Sequence, residues 1–156
     1  MSVAKRIGEY LRDRGLLTDA QIEQILVWQG ERQESFGTIA AREFGVQEAE
    51  LWRAWAMQVI DYCPRLSPAR VNVPDAAREF LSAREAWTYR LLPIDRTENE
   101  LVLVTTAERL PNAMALAQIR SEVPVIFALA DTEELETAIR RTYGIDSPQL
   151  IIPSAA

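Results

Sequence analysis

At 156 residues, with 48% apolar and 26% charged side chains, the chain is long enough to bury its own core and too apolar to be read as disordered. A formal net charge of −6 argues against broad nucleic-acid binding, which needs a basic face; the absence of histidine and the single cysteine, Cys63, exclude intrachain disulfides, cysteine-rich metal sites and histidine-based nucleophile pairs. No apolar run reaches the roughly 18 residues of a membrane span, and Met1 to Arg6 lead into an amphipathic pattern rather than a signal-peptide core, so the expected location is the cytoplasm.

Ile7, Tyr10 and Leu11 fall at helical spacing and predict a first helix over about 3–14, with Gly15 as its stop. Thr18 and Gln21 have the form of a capping box, which predicts a second helix from Asp19 to about Gly30 carrying Ile22, Ile25, Leu26 and Gln29 on one face. Phe36, Ile39, Ala40 and Phe44 predict a third helix stopped at Gly45. Leu51, Trp52, Trp55 and Val59 predict a fourth, more weakly capped because Gln47 stands where Thr18 does.

Pro64 and Pro68 then end the helical pattern, and a subdomain boundary is placed after residue 61. Beyond it the sequence predicts a short helix over 74–83 and a β-hairpin from 91–94 and 101–106. A helix from about Asn112 to Ser121, a strand over 123–130 and a closing helix over 131–143 follow, the last with acids first, arginines last and Gly144 as its stop. The expected fold class is α+β: a tandem helical subdomain over 1–61, a small α/β layer subdomain over 62–144 and a C-terminal tail over 145–156 made extended by Pro148 and Pro153. Cys63 is expected to be a small buried apolar residue.

The first 58 residues hold a duplication. Gly8 and Gly37, Ile22 and Leu51, Leu26 and Trp55, and Gln29 and Gln58 are each 29 positions apart, giving two motifs over 6–29 and 35–58 with a five-residue spacer, Gly30 to Glu34. An amphipathic helix repeats its apolar stripe without fixing glycines and glutamines, so this segment is the candidate functional one. Gly15 and Gly45 read as helix stops. Gly8 and Gly37 end no helix, and the missing Cβ allows a ligand close to the backbone at a helix cost of about 1 kcal/mol each.

Arg6-Ile7-Gly8, Leu11, Gly15, Ile22, Leu26 and Gln29, followed by the same frame after the spacer, resemble the N-terminal MshEN-type domain of the secretion and pilus-assembly ATPases. Tyr89-Arg-Leu-Leu-Pro-Ile94, Leu101 to Thr106, Thr132 to Ile139 and Tyr143-Gly144 are also similar to that family, though the repeat is the more specific of the two signals. The resemblance implies a receptor for cyclic di-GMP that relays binding to a secretion, pilus, glycosyltransferase or membrane-platform partner. It implies a first half-site of Arg6, Ile7, Gly8, Leu11, Gly15, Ile22, Leu26 and Gln29, and a second of Phe36, Gly37, Ala40, Leu51, Trp55 and Gln58. The chemistry agrees: arginine gives guanine O6 and N7 a bidentate pair, glutamine offers a donor and an acceptor, and the aliphatic side chains cover ring faces.

The second motif departs from the first at Ser35 in place of Arg6, Ala40 in place of Leu11, and Phe44 in place of Gly15 with Gly45 one position later. Enzyme activity is not expected, because the Gly-x-x-x-x-Gly-Lys-Ser/Thr phosphate loop of the ATPases is missing. No cofactor and no metal are expected. Trp28, Trp52, Trp55 and Trp87 lack an accompanying basic stripe and read as packing residues rather than a nucleic-acid platform. The rival reading is a nucleotide-independent adaptor of a secretion or pilus system.

Overall fold

The computed structural model describes residues 7–145, and its contacts divide the chain into two compact units, Met1–Asp61 and Tyr62–Ala156. The first unit holds four helices, α1 (Ile7–Asp13), α2 (Asp19–Arg32), α3 (Phe36–Phe44) and α4 (Glu48–Val59). α1 packs on α4 and α2 on α3. The 29-residue step carries α1 to α3 and α2 to α4, so it converts one packed pair into the other, as a two-fold relation between the motifs requires. Leu11, Ile25, Ile39, Ala40 and Ala54 are fully buried in the core between them.

Local chemistry fixes the helix boundaries. Thr18 Oγ1 accepts from Gln21 N at 3.1 Å and Gln21 Oε1 accepts from Thr18 N at 2.9 Å, closing the predicted capping box, whereas Gln47 makes no side-chain cap for α4. α2 and α4 nonetheless start 29 positions apart, at Asp19 and Glu48. α1 closes with Gly15 left-handed at φ 75°, its N–H donating to Arg12 O and that of Leu16 to Leu11 O, both at 2.9 Å. This is the paired closure that glycine favours. α3 closes one position later at Gly45, and there the Val46 N–H reaches back to Ala40 O at 3.3 Å. Leu17 and Val46, again 29 apart, are both buried after these turns, so the displaced glycine lengthens α3 without breaking the register.

Gly30 does not end α2. The helix continues to Arg32 and stops at Gln33, left-handed at φ 54°. An interior glycine costs only about 1 kcal/mol, and the last turn is held from outside: Arg32 lies over the Trp28 ring at 4.7 Å and pairs with Glu43 of α3 at 3.4 Å. Arg42 of α3 grips Glu34 through both terminal guanidinium nitrogens, at 2.5 and 2.8 Å. The bond and the opposite charge raise the Arg42 pKa and lower that of Glu34.

The second unit contains α5 (Asp75–Arg78), α6 (Ala83–Tyr89), β1 (Leu92–Arg96), β2 (Leu101–Thr105), α7 (Leu110–Arg120), β3 (Val125–Leu129) and α8 (Thr132–Tyr143). The sheet order is β1-β2-β3. β1 and β2 form the antiparallel hairpin, Leu92 facing Val104, and β2 and β3 run parallel, Leu103 facing Phe127, across the α7 connection. Leu91, Leu101, Leu103, Leu135 and Ile139 are buried between sheet and helices. The single helix expected over 74–83 is instead α5, ending at Arg78, followed by a separate α6. The signal for α6 is in the sequence: Ser82 and Glu85 form a complete capping box. Cys63 is half-buried rather than buried, and that burial pushes its thiol pKa up. Of the expected tail, 146–156 lie outside the described residues. Among the described residues no helix is long and apolar enough to cross a membrane.

Candidate ligand-binding site

The four-helix unit carries an open cavity of about 660 Å³, within the size range of small-molecule sites. It brings together Ile7 and Gly8 of α1, Ile22, Leu26 and Gln29 of α2, Phe36 of α3 and Gln58 of α4. Gln29 and Gln58, equivalent positions of the two motifs, thus meet at one site. Gly8 forms part of the lining, and a Cβ there would stand 3.2 Å from Ile22 Cγ2 and 3.3 Å from Phe36 Cζ.

The remaining candidates among the described residues lie elsewhere. Leu11 and Ala40 are fully buried and Leu51 nearly so; all three belong to the core and none lines the cavity. Gly15 is an exposed helix stop with no neighbour for a Cβ within 4 Å. Gly37 lies beneath the Trp55 indole, and neither residue reaches the cavity lining. Arg6 lies outside the described residues. Its counterpart Ser35 is the N-cap of α3, its Oγ accepting from Thr38 N at 3.2 Å, so the polar residue that replaces arginine in the second motif has a local structural task.

Four charged residues outside the two expected half-sites also line the cavity: Glu9, Arg12, Asp19 and Glu23. Asp19, Ile22, Glu23 and Leu26 follow the i, i+3, i+4, i+7 spacing of one helix face, so the apolar stripe already contained the two acids of α2. Arg12 Nη1 lies 3.1 Å from Asp19 Oδ1, and Arg12 Nε lies 3.6 Å from Asp13 Oδ1. The hydrogen bond and charge of Asp19 raise the Arg12 pKa. The described lining therefore presents three carboxylates against one guanidinium, and that guanidinium is already engaged.

A second cleft, of about 560 Å³, lies between Arg78, Ser82 and the C-terminal end of α8 in the other unit. Its arginines are committed to the fold. Arg78 pairs with Asp75 at 2.6 Å, and Arg141 donates to the carbonyls of Pro68, Ala69 and Val71. Among the described residues no cluster of acidic or cysteine side chains is arranged to hold a metal ion.

Among solved structures, the chain is similar to MshE solved with cdg, at 25% identity and a TM-score of 0.47 over 89% of this chain and 99% of that one. It is also similar to the N-terminal domain of XpsE, at 19% identity and a TM-score of 0.48 over 92% of this chain and 100% of that one. No curated protein matches it. The family model of the MshEN domain matches residues 62–149, more than half of the chain. The matched stretch is the α/β unit, from the turns before α5 through α8; the repeat, the more specific signal in the sequence, lies before it. Through that α/β unit, with its β-hairpin, parallel third strand and closing helix, the chain belongs to the MshEN domain family.

Proposed function

We propose that the four-helix unit is a non-catalytic receptor site for cyclic di-GMP, within a regulatory domain that passes the bound state to a secretion or pilus ATPase or a comparable cytoplasmic partner. The observation that carries the reading is the meeting of Gln29 and Gln58 at one cavity, because a ligand with two equivalent halves calls for equivalent donors and acceptors. Ile7, Ile22, Leu26 and Phe36 supply apolar surface for the faces of a purine. Membership of the MshEN family supports the same reading. The chain offers no phosphate loop for nucleotide hydrolysis, and a pure binding role suits the site.

Calorimetry with cyclic di-GMP on the full chain tests it. Binding that weakens in both Gln29→Ala and Gln58→Ala is expected; no heat and no thermal shift at about 100 μM ligand removes the reading, since a ligand that selects the folded state stabilises it by mass action.

One observation favours the rival, a nucleotide-independent adaptor. Among the described residues, Glu9, Asp19 and Glu23 line the cavity with one arginine, itself paired, a poor electrostatic setting for two phosphates. An adaptor would leave calorimetry silent while still binding a secretion or pilus protein.

A further inference from the structure

We infer that Trp55 fills the second lobe of a duplicated site, so that the fold leaves room for one nucleobase where the repeat provides for two; the inference rests on the receptor reading proposed above. The 29-residue step makes Trp55 the counterpart of Leu26, Gly37 that of Gly8 and Leu51 that of Ile22. The two motifs treat these positions differently. In the first, the atoms nearest to a Cβ on Gly8 belong to Ile22 and Phe36, and Leu26 is turned outward, 53% exposed, on the cavity wall. In the second, the atoms nearest to a Cβ on Gly37 belong to Trp55, Cζ2 at 2.7 Å and Cη2 at 3.0 Å, with Leu51 Cδ1 behind at 3.5 Å.

The benzo edge of the indole, Cζ2 and Cη2, therefore closes on the α3 backbone at Gly37, whereas the first motif faces Gly8 with Ile22 and Phe36 and leaves Leu26 on the cavity wall. A Cβ at residue 37 would require the indole to move. The cavity reflects this one-sidedness: Gly8, Ile22 and Leu26 line it, while their counterparts Gly37, Leu51 and Trp55 do not.

Trp55 is also held in position. The Trp52 ring meets it edge to face at a centroid distance of 4.8 Å and an interplanar angle of 75°, and Trp52 Nε1 donates to Glu48 Oε1 at 3.2 Å, which fixes that ring on its own helix. A planar, bicyclic, apolar side chain over a glycine backbone is close in shape to a purine. Trp55 thus occupies its lobe as an internal substitute for a base, and a symmetric dinucleotide engages the Gly8 side alone.

The test titrates GMP and cyclic di-GMP into the full chain and into Trp55→Leu, which installs the residue of the first motif. Cyclic di-GMP should bind Trp55→Leu about tenfold tighter or more, the size expected of one added base contact, while GMP, confined to the Gly8 side, binds both proteins alike. Equal or weaker binding of cyclic di-GMP to Trp55→Leu overturns the inference. A ligand-free arm separates it from the receptor reading: indole added to Trp55→Ala should raise the melting temperature of that variant and leave the wild type unchanged. Indole rescue with no nucleotide binding by any variant would locate the lobe while removing both the receptor reading and the specificity role. Absence of indole rescue shows that no preformed lobe exists. If Trp55→Leu and Trp55→Phe both fail to fold, Trp55 is a core residue and the inference falls.

Discussion

The Arg12 guanidinium donates to Asp19 Oδ1 at 3.1 Å, joining α1 to the first turn of α2 at the wall of the cavity. The pair uses the one described cation of the lining to neutralise one of its three carboxylates. A ligand phosphate must compete with Asp19 for Arg12, and in water such an exposed pair is weak. Asp19→Asn should therefore strengthen cyclic di-GMP binding by about two- to fivefold, the range of an exposed ion pair. Calorimetry at low salt measures it; unchanged or weaker binding would show that Arg12 does not turn to the ligand.

Gly37 and Gly8 occupy equivalent positions and should respond differently to alanine. A Cβ on Gly37 would lie 2.7 Å from an aromatic ring carbon, so Gly37→Ala forces the Trp55 indole to move and should cost about 1–3 kcal/mol, as overpacking does. At Gly8 the nearest atoms, the Ile22 Cγ2 methyl at 3.2 Å and the Phe36 ring tip at 3.3 Å, need give only a few tenths of an ångström, and alanine regains about 1 kcal/mol of helix propensity, so Gly8→Ala should be near neutral. Denaturant midpoints of the two variants decide the matter, and equal destabilisation would contradict the packing difference.

Thr18 caps α2 with its side chain, and Gln47 leaves α4 without such a cap. Thr18→Ala should cost about 1 kcal/mol, while Gln47→Ser should gain a few tenths to about 1 kcal/mol by giving α4 an acceptor. Thermal unfolding followed by circular dichroism compares them; a stabilising Thr18→Ala would show that the box contributes nothing.

Burial pushes the Tyr143 phenol up from 10.0 to about 12, with its hydroxyl donating to Arg78 O at 3.1 Å. The folded pKa lies above the unfolded one, so the neutral phenol contributes stability that is fully present below pH 10.0 and is lost as pH rises through about 12. The melting temperature of the wild type should fall more steeply across that window than that of Tyr143→Phe. Parallel curves would place the phenol in water.

Much of the fold is legible in the sequence because its signals are local. Thr18 with Gln21, the left-handed glycines Gly15, Gly45 and Gly144, and the apolar runs on either side of 95–100 each act within a few residues of themselves. α2 runs two residues past its expected end at about Gly30, where Arg32 and Trp28 on one helix meet Glu43 on the next, a tertiary effect. One local reading failed. α6 was present as Ser82 and Glu85 but was hidden by a helix drawn too long over 74–83.

The candidate site is legible to the extent that the 29-residue step is a property of the chain itself: it marks Gly8, Ile22, Leu26, Gln29 and Gln58, which the fold brings to one cavity. Helical periodicity states which residues share a face, and there it stops. Which neighbour covers that face depends on α1 meeting α4 and α2 meeting α3, contacts between segments far apart in the chain. Only that pairing sent Leu11, Ala40 and Leu51 to the core, kept Ile7 and Ile22 on an open cavity beside Asp19 and Glu23, and laid Trp55 on Gly37. A repeat in sequence fixes equivalent positions. Side-chain volume, a leucine in one motif and an indole in the other, decides in three dimensions whether equivalent positions leave equivalent space.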